Sequence, residues 1–213
     1  MRRRTFIVAA PSFVAFMNLK VRCQVSMPNE SILLIGPMGV GKTSVAKNVS
    51  AILGMDYIDV DEQRWDYFLQ QPDYDELLVE RLFYEDRGVE AFGYMKPFEA
   101  RYAIHILSKF PGSVFDFGAG YSVYQDVALF EQVKTAFSKH KHIVFLRYAD
   151  DPIESLEALR GRHADVPEAL YCALNKAFIE SPCNEMLSTC IIETKNKTVQ
   201  EVTDCVLRKV QSS

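Results

Sequence analysis

Long apolar runs are missing from the chain: every such stretch is interrupted well short of the ~20 residues a membrane-crossing helix needs, so a polytopic membrane protein is excluded. Glycine and proline are sparse, 10 and 9 of 213 residues, which excludes a collagen-like or low-complexity chain. Positive charge is not in excess either. With 28 acidic against 24 basic residues the net charge is -4, which leaves no overall cationic field to condense on a nucleic-acid backbone. Nucleic acid is therefore not an expected partner. The cysteines, Cys23, Cys172, Cys183, Cys190 and Cys205, are odd in number and form no CxxC pair or zinc-type Cys/His spacing, which points to a reducing compartment. The histidines, His105, His140, His142 and His163, make no HExxH or metal triad. What remains, 48% hydrophobic and 24% charged residues, is the ordinary composition of one globular domain with a small appendage.

Ser31 to Ile35 is a continuous apolar run bounded by glycine, the pattern of a strand buried on both faces of a parallel sheet. At once follows Gly36-Pro37-Met38-Gly39-Val40-Gly41-Lys42-Thr43, a full match to G-x-x-x-x-G-K-[ST]. Val45, Ala46, Val49, Ile52 and Leu53 then repeat at helical spacing. A polyphosphate needs many weak donors rather than one strong bond. Glycines let backbone N–H groups turn inward as an anion nest, and the helix start adds its dipole. Lys42 then reaches the outer phosphates, and the Thr43 hydroxyl helps hold Mg²⁺.

Tyr57 to Val60 alternates as a second strand and ends in Asp61 and Glu62. Ligands of open α/β sheets sit beyond the carboxyl ends of strands, which brings Asp59 and Asp61 to the edge that the phosphate loop lines. One carboxylate is suited to ordering Mg²⁺ through its water shell, the other to orienting and deprotonating an attacking hydroxyl. Ser113–Phe117, His142–Arg147 and Thr189–Thr194 read as further strands, and 97–110 and 198–210 as helices between them. Asp116 interrupts the third strand, either as a carboxylate that helps order magnesium without touching it or as a satisfied buried polar residue. Strands alternating with amphipathic segments make a three-layer α/β domain, a P-loop NTPase fold.

From Gly36 to Glu62, with the phosphate loop followed by Tyr57-Ile58-Asp59-Val60-Asp61, the chain resembles shikimate kinase within the wider group of P-loop nucleoside and small-metabolite kinases. Weaker likeness runs to about Val210. Glu90-Ala91-Phe92 resembles the helix after the substrate-binding insertion, and Gly118-Ala119-Gly120-Tyr121-Ser122-Val123 resembles the triple-glycine substrate loop. Ser181-Pro182 falls at the proline-containing substrate motif. The resemblance implies a five-stranded parallel sheet, ATP and Mg²⁺, a lid around residues 150–182, and transfer of the γ-phosphoryl group to a hydroxyl. It places nucleotide on Gly36, Met38, Gly39, Val40, Gly41, Lys42, Thr43 and Ser44, with Arg160 packed on the adenine. It gives the metal to Thr43 and Asp59 and the acceptor to Asp61, Gly118, Ala119 and Gly120. Charge stabilisation during transfer is assigned to Lys42 with Arg160 or with Arg162, which stands two residues further on as a replacement for the family's transition-state arginine.

Three departures stand out. Gly93, Val166 and Glu180-Ser181 occupy positions where shikimate kinases carry arginines, and no arginine occurs between Arg162 and Arg208. Gly and Glu cannot clamp a carboxylate as a guanidinium fork does, and Glu180 would repel one. The acceptor need not be shikimate. Extra residues near 70–77 and an aromatic stretch of Phe83, Tyr84, Phe92, Tyr94, Phe98 and Tyr102 flank that site, as lid packing or as a stacking platform. The alternative function is a nucleotide-binding regulatory or interaction protein with little transfer activity.

The first residues stand apart. Met1 to Asn29 contains no acidic residue, and Arg2, Arg3 and Arg4 precede an apolar run from Phe6 to Leu19 broken by Pro11 and Ser12. This suits a targeting segment, or an extension upstream of an internal start at Met17 or Met27. Residues 1–26 are read as that extension and 27–213 as the kinase-like domain. A cytoplasmic location is expected, or an organellar stroma or matrix if the extension is a transit peptide; a secretory route would deliver a nucleotide-using domain to an oxidising, ATP-poor space.

Overall fold

A computed structural model describes residues 30–162 and 166–212. The extension 1–26, with Cys23, and His163, in the segment expected to form a lid, lie outside the described residues. Five strands, β1 (Ile32–Ile35), β2 (Tyr57–Asp59), β3 (Val114–Asp116), β4 (His142–Arg147) and β5 (Cys190–Glu193), form one parallel sheet in the order β2-β3-β1-β4-β5. The continuous apolar runs predicted this burial. Along the strands successive side chains go to opposite faces. Leu33, Ile35, Phe115, Phe117, Ile143 and Phe145 join one core, while Ile32, Leu34, Val114, Val144, Leu146 and Ile192 join the other.

Nine α-helices among the described residues cover those two faces: α1 (Lys42–Leu53), α2 (Arg64–Phe68), α3 (Glu76–Tyr84), α4 (Gly88–Lys109), α5 (Val127–Phe137), α6 (Pro152–Leu159), α7 (Glu168–Glu180), α8 (Cys183–Leu187) and α9 (Val199–Gln211). The buried residues of α1 and α9 fall in one core, and those of α4, α5 and α8 in the other. The start of α9 is fixed by a capping box in which Thr198 and Glu201 satisfy each other's backbone N–H groups.

The helix expected over 97–110 is longer, beginning at Gly88 with Pro97 inside it. A mid-helix proline removes the hydrogen bond to the carbonyl four residues back, here Gly93. The helix carries on through this break because both halves are pinned in the core, by Ala91 and Met95 before it and by Phe98, Tyr102 and Ala103 after it. The inserted residues near 70–77 are tied to the same helix. Arg101 forks the Asp73 carboxylate at 3.0–3.1 Å, and Tyr94 Oη accepts from the Asp75 N–H at 2.7 Å.

Candidate active site

The phosphate loop turns out of β1 through Gly36 (φ 143°), Gly39 (φ 76°) and Gly41 (φ 101°), conformations that side chains disfavour. No carboxylate lies in the first turn of α1 and no side chain caps it, so its leading N–H groups and positive dipole end face outward. Lys42 is buried, and its ammonium donates to the Gly36 and Pro37 carbonyls at 2.9 Å each. Burial pushes the Lys42 ammonium below its ordinary pKa, against the opposing pull of Asp116 and Asp61. The Thr43 and Ser44 side chains are exposed at the helix start.

Helix α7 braces this loop, a contribution the sequence reading did not assign. Asn175, fully buried, accepts from the Met38 N–H at 2.9 Å and donates back to the Met38 carbonyl at 3.2 Å. Tyr171 Oη donates to the Leu159 carbonyl at 2.6 Å and lies 3.2 Å from Asn175 Nδ2, which donates to it. The Met38 amide is thus engaged with α7 instead of being turned to a phosphate, while the Met38 side chain does line the hollow beside it. The signal in the sequence was a Tyr and an Asn four apart on an otherwise apolar helix face.

Two hollows of about 440 Å³ each flank the loop, and Gly41 lines both. The first gathers Lys42, Thr43, Asp59, Asp61, Gly118, Ala119 and Gly120. Parallel pairing sets Asp59 beside Asp116 on the neighbouring strand, and the Tyr57 hydroxyl lies 3.2 Å from Asp116 Oδ2 and 3.4 Å from Asp59 Oδ2. Asp59 Oδ1 also accepts the Asp61 N–H at 3.0 Å. A methyl group on Gly118 would meet Asp61 Oδ2 at 2.5 Å, so this glycine lets the loop close directly over the carboxylate. Thr43 and Asp59, which line this hollow, are oxygen donors of the kind a hard divalent cation takes, while Asp116 is turned to the Tyr57 hydroxyl.

Arg64, which sequence reasoning passed over, donates from Nη1 to Asp61 Oδ1 at 2.5 Å and stacks over Trp65 at 4.6 Å. Burial, with Glu99 and Asp59 nearby, holds the Asp61 carboxyl above its ordinary pKa, with Arg64 and Lys42 opposing. Lys96 and Glu99, also unassigned from sequence, pair at 2.8 Å next to Gly120. Both pairs are spaced by three residues in the chain: Lys96 and Glu99 stand one turn apart on α4, and Asp61 lies in the turn that leads into α2, which starts at Arg64.

The second hollow brings Arg162 over the Tyr148 ring at 5.7 Å and within 3.4 Å of the Gly39 carbonyl, with Thr198 and Val199 of α9 opposite. Arg160 is not brought here: it is exposed and ion-paired with Glu168 at 2.7 Å, because α6 ends at Leu159 and Gly161 (φ 69°) reverses the chain before Arg162. Glu180 does not face the acceptor side; it pairs with Lys176 and lines a separate hollow with Arg147 and Pro182. Of the aromatic stretch, Phe98 and Tyr102 are core, Tyr84 is exposed, and Phe92 lines the first hollow.

Residues 32–79 match the ATPase family associated with various cellular activities (AAA), a span that runs from β1 through the phosphate loop into α3. The chain is 24% identical over 204 residues to the shikimate kinase of Bacillus licheniformis, covering 92% of this chain and 98% of that protein. The solved shikimate kinase of Acinetobacter baumannii in complex with shikimate superposes with a TM-score of 0.59 at 19% identity, covering 86% of this chain and 93% of that one. A gluconokinase of Sinorhizobium meliloti gives 0.54 at 18% identity, covering 87% and 94%. Sheet order, phosphate loop and these superpositions agree: the chain has a shikimate kinase-like P-loop fold.

Proposed function

We propose that the protein is an ATP-dependent small-molecule kinase that transfers a γ-phosphoryl group to a hydroxyl of a metabolite. The observation that carries this reading is the shared hollow. Asp61 stands in one cavity with Lys42 and Thr43 at the phosphate end and Gly118 to Gly120 on its other side. The nucleotide's base lies in the Arg162–Tyr148 hollow and its phosphates cross the loop at Gly41, which lines both. Thr43 and Asp59 would hold Mg²⁺, which would supply neutralisation of phosphate charge. Lys42 leaves the Gly36 and Pro37 carbonyls for the outer phosphates, and Asp61 orients the acceptor hydroxyl and takes its proton. Phosphoryl transfer of this kind is positioning and electrostatics.

The test is Mg²⁺-ATP with a panel of nucleosides, sugars and shikimate, read by mass spectrometry for a phosphorylated product. Product above a Lys42→Ala control is expected; its absence across the panel overturns the reading. A second reading, a nucleotide-binding regulatory module, is favoured by Arg160 being engaged with Glu168. It requires ATP binding without product.

The same roles set a pH profile. Asp61 must be deprotonated and Lys42 protonated. The acid limb of kcat/KM is therefore expected above the pKa of an exposed aspartate, and the basic limb below that of an exposed lysine. Stability follows the opposite sense at each group. The folded chain binds a proton at Asp61 more readily than the unfolded one, so that contribution falls as pH rises through the raised pKa. At Lys42 it grows with pH through the window below the ordinary lysine value.

A further inference from the structure

The acceptor end of the first hollow is built from closed ion pairs. Arg64 is joined to Asp61 at 2.5 Å, and Lys96 to Glu99 at 2.8 Å with a further bond to the Gly120 carbonyl at 2.7 Å. Lys96 also lies over the Tyr124 and Phe178 rings, and Glu99 is 2% exposed. Among the described residues that line this hollow the remaining cation is Lys42, which belongs to the phosphate end. A carboxylate entering here must take Lys96 from Glu99 or Arg64 from Asp61, stranding a carboxylate in the wall.

Hydroxyl groups carry no such penalty. They donate to Asp61 and Glu99 and accept from Arg64 while both pairs stay intact. One wall group is already waiting for such a partner. Tyr121 is 1% exposed, lines the hollow, and its Oη lies against the Arg64 guanidinium, which can only donate to it, so the Tyr121 O–H is left to give to a ligand. Burial with Asp61 and Glu99 nearby raises the Tyr121 pKa, so the group is a neutral O–H that both gives and accepts a bond. Phe92 and Phe178 supply apolar walls.

We propose that the acceptor is an uncharged polyhydroxylic compound, a sugar or cyclitol, with Tyr121, Glu99 and Arg64 as its specificity-determining contacts. This rests on the phosphotransfer reading for what happens to the bound hydroxyl, but it is tested by binding alone.

Calorimetric titration of the full chain, with Mg²⁺ and a non-hydrolysable ATP analogue present, compares D-glucose, D-xylose and myo-inositol with shikimate and D-gluconate. At least one uncharged probe is expected to bind about tenfold or more tighter than either carboxylate, the scale of one or two hydrogen bonds. Tyr121→Phe is expected to weaken that binding about tenfold with little change in melting temperature, since Arg64, the group beside Tyr121 Oη, keeps its ion pair with Asp61. Glu99→Gln frees Lys96 and is expected to raise shikimate and gluconate affinity about tenfold or more. If that variant does not fold, Tyr121→Phe decides. The proposal is overturned if a carboxylate binds the wild type as tightly as the best uncharged probe, if no uncharged probe binds, or if Tyr121→Phe leaves binding unchanged. Phosphorylation of shikimate would sink this proposal and leave the kinase reading standing; sugar binding without product would do the reverse.

Discussion

Asp61→Asn is expected to lower the rate of phosphoryl transfer by ~10²–10⁴ while leaving ATP binding in the same order of magnitude, the signature of a lost general base. Asn keeps the shape that lets Gly118 approach to van der Waals distance, so the loop over the acceptor is not displaced. The change strips Arg64 of its ion-pair partner, but the Arg64 side chain is 25% exposed and rehydrates in part. Melting temperature is therefore expected to move little. Single-turnover phosphorylation alongside nucleotide calorimetry checks this. Equal rates for variant and wild type would remove Asp61 from the chemistry and support the regulatory reading.

Gly36→Ala is expected to strike the fold before the chemistry. Gly36 sits at φ 143°, and a methyl group there would lie 2.2 Å from the Leu146 carbonyl oxygen of the adjacent strand β4. That oxygen is backbone in the centre of the sheet, with Leu146 fully buried, so relief requires β1 and β4 to move apart. Strain of this type costs about 3 kcal/mol, which for a domain of this size is a drop of roughly 6–12 °C in melting temperature. Gly41→Ala is the control. It shares the positive φ, but a methyl group there meets no atom of the described residues within 4 Å, so it is expected to cost less. Thermal unfolding of the two variants gives the comparison, and equal losses would contradict the packing argument.

Legibility of the chain followed sequence locality. The strands were readable because each is a short run buried on two faces, and β4 falls on the residues its apolar pattern marks, His142–Arg147. The phosphate loop was readable because its chemistry is contiguous. Proline is a breaker in isolation, so the sequence pattern predicts this helix only from Pro97 on, whereas core contacts on both sides hold α4 through it. Arg64, Lys96, Glu99 and Asn175 were not readable as site residues. Asn175 acquires its role by meeting Met38 across 137 residues of chain. Arg64, Lys96 and Glu99 pair with neighbours three residues away, a spacing shared by many solvated pairs, and only the approach of the Gly118–Gly120 loop sets them in the site. Arg160 and Arg162, two residues apart, separate because α6 ends at Leu159, just before them, and Gly161 turns the chain between them.

The central claim is that Gly36 to Thr43 grips a nucleotide's phosphates. It is tested most directly by calorimetric titration of Mg²⁺-ATP into wild type and Lys42→Ala. The account predicts one saturable site in the wild type and affinity weakened about tenfold or more in the variant, the worth of a charge-assisted contact. No heat of binding in the wild type, or identical affinity in both, would contradict it.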